Sequence, residues 1–241
     1  MDATSKLPYW DGSMSAAIQL QREIAQRVER EDRLDDVRFI AGVDVSANRF
    51  TNVARAAIVV LSFPDLQEIE IARAELPITM DYMPGLLSFR EAPVIFRAMD
   101  RLRHTPDLLM VDGQGIAHPR RCGIACHLGV LLDIPSIGCA KSILRGKHDP
   151  LPDVVGARAD LMLGSEVIGL ALRTRVHANP LYISIGNRVS LPTAISYVER
   201  CLQGTYRLPT PTRLAHNHAA EPIAPEASGS DQPSLWGTNQ T

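Results

Sequence analysis

No run of about eighteen apolar residues occurs in this 241-residue chain, whose apolar stretches are strand-length and too short to span a bilayer. Cysteine is scarce, at positions 122, 126, 139 and 201, and the N-terminus lacks the basic, apolar and small-residue order of a secretion signal. A reduced, cytoplasmic protein is expected. Cys122 and Cys126 stand i,i+4 near His118 and His127, but no second pair with finger-like spacing accompanies them, so they read as small core residues rather than zinc ligands. A large charge of one sign is also missing. The formal net charge of −2 supplies no long-range positive field, so nucleic acid would have to be held by a local patch. With 45% hydrophobic and 22% charged residues, the chain is not disordered throughout and can bury a sizeable core.

What is present reads as one mixed α/β domain over residues 1–217, followed by a tail. Residues 14–33 place Ala17, Leu20, Ile24 and Val28 at helical spacing, the pattern of an amphipathic scaffold helix. Three Val- and Ile-rich segments, VRFIAGVDV, ARAAIVVLSF and EIEIARAEL, are joined by short connections and form an antiparallel meander. A helix is expected from Pro93 to Arg103, with Pro93 in its first turn and Glu91 just ahead of it. The short strand DLLMVD leads into the turn Gly113-Gln114-Gly115 and a helix near 120–132. PSIGCA is a buried strand ending at Lys141, and VIGLALR and LYISIG form a hairpin around Asn179-Pro180. A last helix runs from near Pro192 to Gly204. Residues 218–241 are rich in Pro, Ala, Ser and Gly without apolar periodicity, and a disordered tail is expected there.

Three acids lie in apolar surroundings: Asp44 in FIAGVDVS, Glu91 before Pro93, and Asp112 in LLMVDGQG. Ionised carboxylates in such places are costly unless a cation or hydrogen bonds compensate them. Oxygen ligands suit hard Mg²⁺, with Mn²⁺ as a substitute, and the associated chemistry is hydrolysis of a phosphodiester. Taken alone, the same residues also fit turn and helix caps. The stretch GQGIAHPRRCG places a glycine turn, His118, Arg120 and Arg121 beside Asp112, a setting for phosphate contacts; Lys141, Arg145 and Lys147 follow PSIGCA. Either basic set also fits ordinary surface charge. Tyr82, between Pro77 and Pro84, is a loop aromatic able to stack on a base or to pack on the surface.

The motifs IAGVDVS, MDYMPGLLSFREAP, LLMVDGQGIAHPR, GCAKSIL and LPTPTRLAH, in this order over residues 14–216, resemble the endonuclease V family of inosine-directed nucleases. The resemblance implies a ribonuclease H-like fold, a mixed central sheet with a three-stranded antiparallel meander flanked by helices. It implies that Asp44, Asp112 and Glu91 hold Mg²⁺, that Lys141 stabilises charge at the scissile phosphate, and that His216 lies near the metal. Tyr82 corresponds to the family's wedge, with Pro84 and Gly85 beside it, while Gly113, Gln114, Gly115 and His118 belong to the loop lining the lesion pocket. The implied reaction is hydrolysis of the second phosphodiester bond 3′ to deoxyinosine in DNA, leaving a 3′-hydroxyl and a 5′-phosphate, by a monomer. Extruding a mispaired base is less costly than extruding a good one. Cleavage of inosine-containing RNA, or lesion binding without turnover, are the alternatives. One departure stands out: the family's wedge usually reads Pro-Tyr-Ile-Pro, and here it reads Asp81-Tyr82-Met83-Pro84.

Overall fold

The computed structural model describes residues 3–8, 10–48 and 51–223. Among them an eight-stranded mixed sheet runs in the order β3-β2-β1-β4-β5-β8-β7-β6. Strands β1 (Phe39–Asn48), β2 (Val53–Ser62) and β3 (Glu68–Pro77) are the expected antiparallel meander. Strands β4 (Leu108–Val111) and β5 (Ser136–Ala140) add on parallel to β1. This 3-2-1-4-5 order, with β2 alone reversed, is the ribonuclease H-like sheet. Antiparallel β8 (Leu181–Asn187), β7 (Glu166–Leu172) and β6 (Arg158–Leu163) complete it.

Side chains alternate between two cores, as the strand period of two requires. Ala41, Val43, Ile58, Val60, Leu109 and Val111 pack against α2 (Leu87–Met99) and part of α3 (Ile124–Leu132). Ile40, Val59, Leu61, Leu108, Met110, Ile137 and Cys139 face the other way, toward α1 (Met14–Gln26), α4 (Leu191–Arg200) and α5 (Thr210–Ala220). Burial on both faces explains why β2 and β8 are nearly continuous apolar runs. Cys122 and Cys126 are buried in the second core, and burial pushes the Cys126 thiol up to about 12.

Three expectations are corrected, and one strand was not foreseen. The first helix ends at Gln26, not 33, because Glu29 N–H donates to Asn187 Oδ1 (3.0 Å) and Asp32 accepts from Ser190 and Thr193. These tertiary bonds displace the helical ones. The second helix begins at Leu87, so Glu91 lies inside it rather than ahead of it, and Pro93 is its seventh residue. The burial of Ser88, Phe89 and Ala92 outweighs the loss of the bond that Pro93 cannot give the Phe89 carbonyl. Strand β6 carried too weak an alternation to be read, since its residues are mostly half-exposed at the sheet's edge. Finally, the helix from Pro192 is not the last: LPTPTRLAH forms α5, with Pro209 at its N-cap and Pro211 in its first turn. Two prolines opening a helix are the available signal. The boundary set at 217 therefore falls inside α5; of the expected tail, residues 224–241 lie outside the described residues.

Among the described residues, no helix is long and apolar enough to cross a membrane.

Candidate active site

The sheet brings the acids together by register. Parallel pairing sets Val43 beside Val111 and Val111 beside Gly138, and Asp112 N–H donates to the Val43 carbonyl at 2.9 Å. Asp44 and Asp112 therefore stand side by side on adjacent strands. Counting in twos along each strand, Asp44 follows Ile40 and Gly42, Asp112 follows Leu108 and Met110, and Lys141 follows Ile137 and Cys139. All three thus project on the face that α5 covers: Asp112 and Lys141 just past the carboxyl ends of β4 and β5, and Asp44 in mid-β1 where its parallel pairing with β4 stops, the edge at which open α/β sheets place their ligand sites. Helix α5 can lie close there because residue 42 is glycine: a Cβ at that position would meet the Pro211 carbonyl oxygen at 1.9 Å. The approach delivers His216, whose Nδ1 is 2.7 Å from Asp44 Oδ2 and 3.3 Å from Lys141 Nζ.

The resulting electrostatics call for a cation. Lys141 Nζ pairs with Asp112 Oδ2 at 2.5 Å, one positive charge set against two close carboxylates. Burial, and then the neighbouring Asp112 charge, raise the pKa of Asp44 against the lowering effects of His216 and Lys141. The single His216 Nδ1 cannot donate to Asp44 and accept from Lys141 at once. A divalent ion fits this arrangement, because one ligand atom from each of Asp44, Asp112 and His216 lies within 4.8 Å of the others. Glu91 is not in that trio. It comes from α2, on the opposite face, and its carboxyl is pushed up to about 8, first by burial and then by Asp44, with Arg90 opposing and Asp112 adding to the rise.

Beside the acids is a 270 Å³ cavity whose walls include Tyr82, Gly85, Gln114 and His118, and which shares Asp112 and Lys141 with the acidic cluster. Its lip is held by one carbonyl. Gly85, at φ +80°, turns its oxygen to accept from Arg120 Nη2 (2.6 Å), Gln21 Nε2 (3.1 Å) and His118 Nε2 (3.1 Å). The Nδ1 of His118 accepts from the Arg120 amide at 3.2 Å, which assigns the ring proton to Nε2. Burial, with Arg120 nearby, pushes His118 down to about 4, so it is neutral near pH 7. Gln114 is buried and donates to the Ser142 carbonyl at 2.7 Å, leaving its Oε1 without a partner. Tyr82 is 61% exposed at the rim.

Gly113 also lines the cavity, whereas Gly115 lies beneath it: its N–H donates to Ser184 Oγ at 2.9 Å, and a Cβ there would meet the Ile185 oxygen at 2.0 Å. Pro84 is exposed outside the lining. The paired arginines do not face phosphate: Arg120 is turned inward to Gly85 and Gln21, and Arg121 pairs with Glu166. Gln21, on the helix read as scaffold, was missed as a pocket residue, as was Ser88, buried without a hydroxyl partner. A polar residue at a core-facing position was the signal for Gln21; the placement of Ser88 depended on where α2 begins.

Comparison with known proteins places this geometry in context. A model of the Endonuclease V family matches residues 22–217. Endonuclease V of Roseiflexus castenholzii is 52% identical over 212 residues, 88% of this chain and 94% of that protein. Among solved structures, endonuclease V of Streptomyces avermitilis superposes with a TM-score of 0.80 at 35% identity, covering 87% of this chain and 92% of the other. Ciona intestinalis endonuclease V, in complex with a 23-mer DNA containing an inosine followed by a ribo-adenosine, gives a TM-score of 0.75 at 26% identity, covering 88% and 97%.

Proposed function

Given that the chain belongs to the endonuclease V family, we propose that it is a Mg²⁺-dependent repair nuclease acting in the cytoplasm as a monomer. It hydrolyses the second phosphodiester bond 3′ to deoxyinosine in DNA and leaves a 3′-hydroxyl and a 5′-phosphate. The observation that carries this reading is that the cavity shares Asp112 with the Asp44–Asp112–His216 trio and is also lined by Lys141, which pairs with Asp112. A base held in that cavity leaves its own strand's backbone at the carboxylates. Residues 1–217 act as the catalytic unit, with the rest of α5 completing it.

In this reading Asp44, Asp112 and Glu91 hold the divalent ion, with His216 near it, its ring nitrogen within 4.8 Å of the two aspartates' ligand atoms. The bound ion supplies Lewis-acid stabilisation of phosphate charge and a more acidic water. Lys141 sets its ammonium group against the same phosphate, a fixed positive charge where negative charge grows. Glu91 keeps a proton on its carboxyl below about pH 8 when no cation is near and gives it up when one is. Tyr82 stands at the rim to fill the gap left by the turned-out base, as aromatic and apolar wedges do between base steps. Within the cavity, Gln114 Oε1 is an unpaired acceptor, suited to the ring N–H of hypoxanthine, where adenine carries a bare nitrogen. Gly113 and neutral His118 shape the wall without adding charge.

The test is a strand-specific nicking assay with Mg²⁺ on matched duplex and single-stranded DNA and RNA, each carrying one inosine. The expected result is a DNA cut one nucleotide beyond the inosine on its 3′ side, abolished by EDTA. Preferential cutting of RNA replaces the DNA reading with an endoribonuclease, and binding without cutting replaces it with lesion recognition.

A further inference from the structure

The segment bearing Tyr82, between β3 and α2, has Asp81 where the family's wedge usually has proline, so its backbone is not stiffened at that point. What holds it is a small apolar cluster. Met80 and Leu86 are buried and Met83 is partly buried, bracketing the exposed Tyr82; they pack with Ala17 of α1 and Phe89 of α2. Trp10 packs against this cluster, its ring 5.5 Å from that of Phe89 with 55° between the planes. Its indole Nε1 donates to the Ser13 carbonyl at 2.7 Å, and Ser13 caps α1 through its side chain.

Trp10 is itself anchored from behind. The Ala3 amide and the Thr4 hydroxyl bond to the carboxylate of Asp100, at the C-cap of α2, and Lys6 Nζ donates to the Leu132 carbonyl at the end of α3 at 3.1 Å. Residues 3–8 therefore start at the far ends of α2 and α3, and the chain returns through residues 10–13 to the Tyr82 loop. This strap lies upstream of residue 22, where the match to the family model begins.

We propose that Trp10 is a positioning residue for lesion recognition: packed at a tilt against Phe89, it holds the Met80, Met83 and Leu86 base of the loop and so sets where Tyr82 stands over the cavity. The proposal rests on the inosine reading above. Its physical reason is that a wedge acts only from a defined height and angle, and displacement of about 1 Å in a positioning group can cost on the order of a hundredfold. A tilted aromatic pair adds attraction beyond the area it buries, and it fixes orientation as well as distance.

The experiment uses the full chain, comparing wild type, Trp10→Ala and Trp10→Phe, each with Tyr82 and with Tyr82→Ala. Amide exchange over residues 79–86 is measured without nucleic acid, and kcat and KM are measured on inosine-containing duplex. In Trp10→Ala, exchange over this segment rises by about tenfold, and kcat/KM falls by up to roughly tenfold, no more than the loss of Tyr82 itself costs, mostly through KM. Trp10→Phe restores most of both. In the Tyr82→Ala background, Trp10→Ala costs no further activity. Unchanged exchange, faster exchange with unchanged kinetics, or an equal loss in both backgrounds overturns the proposal. If Trp10→Ala does not fold, Trp10→Leu, which keeps apolar bulk without the ring, takes its place. Because exchange is read without substrate, a wild-type chain inactive on inosine defeats the functional reading while the loop's dependence on Trp10 is still decided.

Discussion

Asp44, Asp112 and Lys141 stand on three adjacent strands whose side chains are buried on both faces, whereas Tyr82, Gly85, Gln114 and His118 stand on the loops that adjoin them. The first set is charged: burial and Asp112 raise the pKa of Asp44, and Lys141 pairs with Asp112 Oδ2 at 2.5 Å. The second is neutral and mutually satisfied at its lip, where three donors converge on the Gly85 carbonyl. Phosphate chemistry needs charges fixed to a fraction of an ångström, which strands provide better than loops. Reading a base needs neutral hydrogen-bonding groups and room to admit it, which loops on a rigid frame provide.

The sharpest way to separate the two regions is to neutralise one acid. Asp112→Asn or Asp44→Asn is expected to cut nicking by at least about a thousandfold while lesion binding persists, and to leave thermal stability in EDTA unchanged or higher. Nicking that survives within tenfold of wild type would remove the residue from the catalytic set. A smaller effect, on the order of tenfold, is expected from Tyr82→Ala, since an aromatic–base contact is worth about 1–3 kcal/mol. The loss should fall on inosine-containing duplex and spare undamaged duplex; equal losses in gel-shift titrations of both would make Tyr82 ordinary surface packing.

The smallest effect is the dependence of stability on pH. Glu91, raised from 4.5 to about 8, keeps a proton in the folded state that the unfolded chain has released, so its contribution falls as pH rises through this range and levels off above about 8. His118 and His127 are both pushed from 6.5 down to about 4, chiefly by burial; their contribution is complete above 6.5 and is lost as pH falls toward 4. Between pH 6.5 and 8 the carboxyl therefore dominates. In EDTA, Tm should decline across that window, and Glu91→Gln should flatten the decline; between pH 6.5 and 4, His118→Gln should reduce the loss on acidification. Melting curves of Glu91→Gln that keep the wild-type slope would place the titration elsewhere.

Much of this was legible in the chain because strand-forming runs, helix starts and motif order are local properties. The β1–β3 meander, the ends of β4 and β5, and the candidacy of Asp44, Asp112 and Lys141 follow from alternation and from where an acid or lysine ends an apolar run. The trio was not legible in the same way. That His216 joins Asp44 and Asp112 while Glu91 stays outside depends on α5 resting on Gly42, residues 169 positions apart from Pro211 in the chain but in contact across the sheet. Likewise, only packing turned Arg120 inward and made Gln21 part of a pocket wall. The sequence alone marks which residues are candidates for chemistry and which segments extend or coil, since those depend on neighbours a few residues away. Tertiary structure decided which of them meet, because register across the sheet and close approach at a glycine act between residues far apart in the chain.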